Sequence, residues 1–312
     1  MPLPSSLAGR LRLPALAAPM FLTSGPDLVV ETCRSGVLGT IPALNQRTSD
    51  GFDAWLDEIE ERLAGFPGAA PFGVNLIVHR TNPRLGADLD LVVAHRVPLV
   101  ITSLGAVSDV VDAVHSYGGL VFHDVISRRH AEKAAAAGVD GLIAVAAGAG
   151  GHGGTLSPFA MIDELRQVFA GTLILAGGIG RGAQVLAARA AGADMVSIGT
   201  RFLATREALV PEAQKEMVLA ARAEHIVHTA AISGVAANFL RQSLIENGLD
   251  PESLPPQGRL DMGEEAKVWK SIWSAGHGVG SIGDVPGAAV LCERLIAEYR
   301  EAHGRLVADP FA

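Results

Sequence analysis

Apolar residues come in short runs along most of the chain, and the runs alternate with Ala-rich segments whose apolar positions fall at helical spacing. The runs are 15–20, 36–43, 72–78, 98–104, 119–125, 141–147, 172–177 and 195–199. Apolar stretches of this kind, without polar alternation, describe strands buried on both faces, as in a parallel sheet. Between them, 53–63 carries Trp55, Leu56, Ile59 and Leu63 on one stripe, with Glu58, Glu60 and Glu61 facing out. Segments 131–137 and 184–191 stop at Gly138 and Gly192, which read as helix C-caps. Ser157-Pro158 reads as an N-cap followed by proline at the first helical position. Eight strand–helix units in series predict an α/β fold, a (β/α)8 TIM barrel in preference to an open doubly wound sheet.

The alternation stops after Phe202. Residues 211–247 read as helices without intervening strands, 248–266 as a polar loop with Pro251, Pro255 and Pro256, and 286–303 as the amphipathic helix that closes the barrel. The expected organisation is a barrel of 1–205 and 271–312, with 206–270 a helical insertion after the eighth strand. Such an insertion emerges at the C-terminal face and caps the substrate site.

Composition narrows the class. The chain has 312 residues, 49% hydrophobic but 5% aromatic, which favours small side chains packed between strands and helices over an aromatic binding surface. A net charge of -8 with scattered basic residues argues against a nucleic-acid footprint. Cys33 and Cys292 stand alone without ligand spacing and read as buried small hydrophobes in a reducing compartment, so a cytoplasmic location is expected. Arg10 and Arg12 before the apolar run 13–22 resemble a weak signal peptide, but Pro14 and Pro19 interrupt it and it reads as well as a first buried strand. No uncharged apolar run reaches the roughly 18 residues of a membrane span. A homodimer stays open.

The chemistry concentrates in glycine. Val-Ala-Ala-Gly-Ala-Gly-Gly-His-Gly-Gly (145–154) sets one imidazole, His152, in a loop after the sixth run where almost nothing else carries a side chain. Gly177-Gly178-Ile179-Gly180 ends the seventh run and Gly199-Thr200-Arg201 the eighth. Loops after those two barrel strands commonly hold phosphate through backbone N–H groups, and Arg181 could add charge or be a solvated helix end. Together the three imply a flavin site, with a planar ligand and one proton-transfer group beside it. His225 and His228 sit three apart on an expected helix, but no third ligand is spaced nearby and no metal is expected. His79, His95, His115, His130 and His303 have no special context.

Ala-Gly-Gly-His-Gly-Gly, the Gly-Gly-Ile…Gly-Ala-Asp…Gly-Thr-Arg-Phe-Leu-Ala-Thr-Arg-Glu run (177–207), Trp273-Ser-Ala-Gly276, Ala-Pro-Met (18–20) and Gly-Val-Asn (73–75) resemble the nitronate monooxygenases, formerly 2-nitropropane dioxygenases. The resemblance covers nearly the whole chain. It implies FMN, a nitronate substrate and O2, with a carbonyl compound and nitrite as products. By position, it implies that Ala18 and Met20 line the flavin ring and that Asn75 hydrogen-bonds its edge. Gly150 and Gly151 would lie against the flavin beside His152, the catalytic base or substrate-orienting group. Gly177, Gly178, Gly199 and Thr200 would hold the phosphate, and Ser274 would face the substrate unless it is an ordinary N-cap. His277 is near enough in sequence to reach the site. One departure stands out: some relatives carry a lysine where this chain has Asp124, so either His123 supplies the cation or the flavin is tuned differently.

Two other functions fit the same pattern. FMN-dependent NAD(P)H:quinone and enoyl-ACP reductases share much of it. A phosphate-binding barrel without redox chemistry, related to IMP dehydrogenase or a sugar-phosphate isomerase, needs a cysteine or carboxylate at a catalytic loop, and neither Cys33 nor Cys292 lies at one.

Overall fold

A computed structural model describes residues 3–105, 108–255 and 270–310. Eight parallel strands form one sheet: β1 Ala15–Ala17, β2 Gly39–Pro42, β3 Phe72–Ile77, β4 Leu99–Ser103, β5 Leu120–Val125, β6 Gly141–Val145, β8 Thr172–Ala176 and β9 Met195–Ile198. Each of the eight expected runs is a strand. Neighbours in space follow sequence order, β1 pairs with β9, and a bridge from Leu16 to Leu38 joins β1 to β2, closing the α/β barrel.

Helices separate the strands and begin where the sequence places caps. Thr48, Ser127 and Ser157 each accept a backbone N–H at the start of Ser49–Ala64, Arg128–Ala136 and Pro158–Arg166. The helix Ser49–Ala64 buries Phe52, Leu56 and Ile59 against the sheet. The C-terminal helix Ala288–Val307 packs on Gly182–Ala190 and closes the outer ring. Run 13–22 supplies β1, with Leu13 and Leu16 fully buried.

Side-chain parity sorts the core into two shells. Leu16, Leu38, Leu99, Ile101, Phe122, Ile143, Ile174 and Met195 fill the barrel interior, with Leu7 of the short helix Ser5–Ala8 in the same cluster. Val74, Val100, Val121, Leu142 and Val196 point outward to the helices. Alternation along β3, β4 and β5 therefore turns Asn75, Ser103 and Asp124 inward at the C-terminal mouth. The interior is apolar below and polar at the top.

The segment after β9 departs from the all-helical expectation. It holds the helix Glu212–Ala220, two strands, β10 Ile226–Thr229 and β11 Ala237–Leu240, and the short helix Arg241–Glu246. The two strands form a separate antiparallel sheet with β7, Gly151–His152, and add nothing to the barrel. His225 and His228 accordingly lie on a short 3-10 turn and on β10, not on one helix. Part of the expected insertion, 256–269, lies outside the described residues.

Candidate active site

The glycine loop after β6 is shaped by another stretch of chain. Gly150 and Gly276 pass backbone to backbone: a Cβ on Gly150 would come within 3.0 Å of the Gly276 nitrogen, and one on Gly276 would collide with the Gly148 carbonyl. His277 donates its N–H to that carbonyl at 2.9 Å and lays its ring over Gly148. Part of the glycine content thus serves this close approach. His277 is exposed and acts here as packing.

His152 enters the site on a ladder. It pairs with Ala237 and Gly151 pairs with Asn238, while Gly153 donates to the Ala236 carbonyl at 3.3 Å. The Ser274 hydroxyl accepts from the Gly151 N–H at 2.6 Å and donates to the Asn238 carbonyl at 2.7 Å. Ser274 is therefore no helix N-cap; it clips the histidine loop to β11. Ser233 Oγ, whose proton goes to the Val235 carbonyl at 2.9 Å, stands 3.4 Å from His152 Nε2, a long contact. Ser233 and Asn238 were not anticipated. The β-branched piece Ile226-Val-His-Thr229 and the Ala237-Asn-Phe-Leu240 piece, with Ser233-Gly234 between them, are the weak hairpin signal there.

A polar ladder crosses the mouth beside the histidine. Asn75 Nδ2 donates to the Ile101 carbonyl at 3.2 Å and to Ser103 Oγ at 2.8 Å, and Ser103 Oγ donates to Asp124. A carbonyl only accepts, so Asn75 turns its amide nitrogen to the barrel wall and its oxygen away. Burial pushes the Asp124 carboxyl up to about 6, and the Ser103 hydrogen bond and the charge of His152 pull it back. His123 has the opposite parity. It faces outward, bonded to Thr102 Oγ1 at 2.7 Å, and burial lowers it to about 4. It is neutral near physiological pH and on the wrong face of β5, so it does not take the place of the lysine.

The residues expected to hold phosphate follow β8 and β9, beside the glycine loop. Gly178 has φ +70, and a Cβ built on it meets no heavy atom within 4 Å, so the loop presents backbone to open space. On Gly177 a Cβ would press the Ala147 carbonyl at 2.9 Å. Gly199 faces Ala18 Cβ and Met20 Sδ, each 3.6 Å from where its Cβ would be. Thr200 Oγ1 accepts from the Gly276 N–H at 2.9 Å and keeps its own proton to give. Arg201 is buried and spent: it donates to Asp284 Oδ1 at 2.7 Å and to the Ala204 and Asp284 carbonyls. Arg181 is exposed. No group of three or more metal-ligating side chains occurs among the described residues, and no helix among them is long and apolar enough to cross a membrane.

Residues 83–296 match the family model for nitronate monooxygenase. A nitronate monooxygenase of Paraburkholderia phytofirmans is 28% identical, over 78% of this chain and 77% of its own length. A (3aS,4S,5R,7aS)-5-hydroxy-7a-methyl-1-oxo-octahydro-1H-indene-4-carboxyl-CoA dehydrogenase of Mycobacterium tuberculosis is 28% identical over 75% of this chain, which spans 64% of that relative's length. The crystal structure of a nitroalkane oxidase from Streptomyces ansochromogenes superposes with a TM-score of 0.82 at 26% identity, covering 97% of this chain and 100% of that one.

Proposed function

We propose, from the premise that this chain belongs to the nitronate monooxygenase family, that it binds FMN at the barrel mouth and oxidises alkyl nitronates with O2 to a carbonyl compound and nitrite. The observation that carries the reading is the convergence of His152, the Asn75–Ser103–Asp124 ladder and the open backbone at Gly178 on one end of one barrel.

The residues suit that cofactor. The space over Gly178 and the free proton of Thr200 fit one phosphate, and Ala18, Met20 and Gly199 form a small apolar wall for a flat ring. Asn75 Oδ1, turned from the barrel wall, would accept from a ring N–H. Bound there, the flavin supplies the redox chemistry and the protein supplies orientation and electrostatics.

His152 does the proton work. On a neutral nitroalkane it removes the α-proton, and an ionised Asp124 nearby offsets the positive charge that results. On a preformed nitronate it only hydrogen-bonds the anion. The insertion strand β11 holds it in place and covers the loop from one side, leaving His152 half-buried.

The FMN-dependent reductases that share the glycine pattern are a second reading, in which NAD(P)H delivers hydride through the same flavin to an unsaturated acyl thioester or a quinone; a relative named as a carboxyl-CoA dehydrogenase is in keeping with a thioester substrate. Two assays separate them: O2 uptake with propionate 3-nitronate, and anaerobic bleaching of the flavin by NADH or NADPH. Nitronate-dependent O2 uptake without bleaching supports the first reading; bleaching without nitronate turnover replaces it with the second.

A further inference from the structure

The geometry points to Asn238 as the positioning residue for His152, a role that rests on His152 being the proton-transfer group. Asn238 occupies the centre of the small sheet. Its register partners are His228 on β10 and Gly151 on β7, so it lies between an edge strand and the histidine loop. The side chain is buried, at 2% exposure, and both of its ends are used. Nδ2 donates to the Ala149 carbonyl at 2.6 Å, and Oδ1 accepts from His228 Nδ1 at 3.1 Å. The Ala149 carbonyl cannot donate, which fixes the orientation of the amide and requires a proton on His228 Nδ1.

The backbone of the same residue completes the clamp, because its carbonyl takes the Ser274 hydroxyl proton and Ser274 in turn takes the Gly151 N–H. Asn238 therefore holds the loop at Ala149 directly and at Gly151 through Ser274. The loop carries glycine at 148, 150, 151, 153 and 154 and has little internal stiffness of its own. Its conformation is imposed from outside, by the Asn238 amide at Ala149 and by Ser274, itself held on the Asn238 carbonyl, at Gly151. A proton-transfer group misplaced by about 1 Å loses on the order of a hundredfold in rate, so the grip on Ala149 and Gly151 reads out as kcat.

Asn238→Asp tests this with almost no change of volume, since it puts a carboxylate oxygen against the Ala149 carbonyl and keeps the acceptor for His228. His228→Ala is the second variant: it sits on the exposed side and removes one end of the clamp without opening a buried cavity. Two readouts are taken on the flavin-loaded protein, steady-state kinetics with propionate 3-nitronate and amide hydrogen exchange resolved by residue. Asn238→Asp should lower kcat by about 10–100-fold with KM within about threefold, and His228→Ala by about 2–5-fold. Exchange at Gly151 and Gly153 should rise at least about tenfold, while Val74 and Val100 in the barrel stay unchanged. Wild-type kcat in Asn238→Asp, or unchanged exchange in the loop of both variants, overturns the inference. A wild-type protein that leaves the nitronate untouched defeats the functional reading alone; the exchange measurement then still decides on Asn238.

Discussion

Asp124 takes the hydroxyl proton of Ser103, its neighbour one strand away across the barrel mouth. Ser103 in turn takes an amide proton of Asn75, so the direction of every hydrogen bond along this edge is fixed and the carboxyl group is its terminal acceptor. A negative charge at that point is stabilised by one hydroxyl and by His152, against the cost of burial.

That cost sets a pH dependence of stability. Burial raises Asp124 from its ordinary 3.8 to about 6, so the folded state holds this proton more tightly than the unfolded one. Its contribution is complete at low pH and is lost as pH rises through about 6. Asp124→Asn, which removes the charge, should raise the melting temperature near about pH 8 by roughly 2–6 °C. The gain should vanish below about pH 4. Melting curves of both proteins across that range check it, and a gain that grew toward acid would contradict burial as the cause.

His152→Ala should lower kcat/KM on a neutral nitroalkane by roughly 10²–10⁴-fold. On a preformed nitronate the loss should be smaller, because no C–H proton remains to be removed. Flavin content should stay near wild type, since the proposed phosphate contacts come from other loops and Gly150 and Gly151 meet the ring through backbone alone. Equal losses on the two substrates would leave His152 a binding residue and not a base.

Gly178→Ala separates ligand from protein sterics. The added methyl meets no protein atom within 4 Å, so the fold should lose only about 1–2 kcal/mol for the positive φ. The same methyl points where the phosphate is proposed to lie, and the variant should purify folded and nearly colourless. Absorbance and mass of the chromophore released on denaturation measure it. A fully loaded variant moves the phosphate elsewhere, and FAD in place of FMN rejects the single-phosphate cradle.

Arg201 ties the loop after β9 to the segment around Asp284 with a buried planar fork. Arg201→Ala should cost about 1–3 kcal/mol, because it strips a donor from the Ala204 and Asp284 carbonyls, while the Asp284 carboxylate keeps its two bonds to Arg294. Arg201→Lys should recover less than half of that, as an ammonium cannot span the same acceptors. Chemical denaturation midpoints give both numbers.

The barrel was legible because strands buried on both faces leave unbroken apolar runs, and all eight were read from them. The polar ladder was also written there, in the parity of each run: Asn75, Ser103 and Asp124 share a face with Ile101 and Phe122, and His123 does not. Reading runs without parity is what left His123 and Asp124 interchangeable. The insertion was misread for a different reason. Residues 226–229 and 237–240 are too short to separate strand from helix by period, and their pairing partner, Gly151–His152, lies far back in the chain. The glycine loop was found, but the part played by Gly276 in shaping it depends on a contact between distant segments.

The seam of the barrel has a bearing on how the protein is made. β1 is the first of the barrel strands in the chain, yet its partner Val196 is among the last barrel residues to follow, and its link to β2 is the short bridge from Leu16 to Leu38 with the Thr40 hydroxyl on the Ala17 carbonyl. Most of the sheet is therefore synthesised before the circle can shut, and Leu13 and Leu16 spend that interval uncovered. Ala18, directly after β1, meets Gly199, directly after β9, only once the seam is joined. Anything gripped between those two residues is captured by a closed ring, so a cofactor held there would load only after the seam has joined.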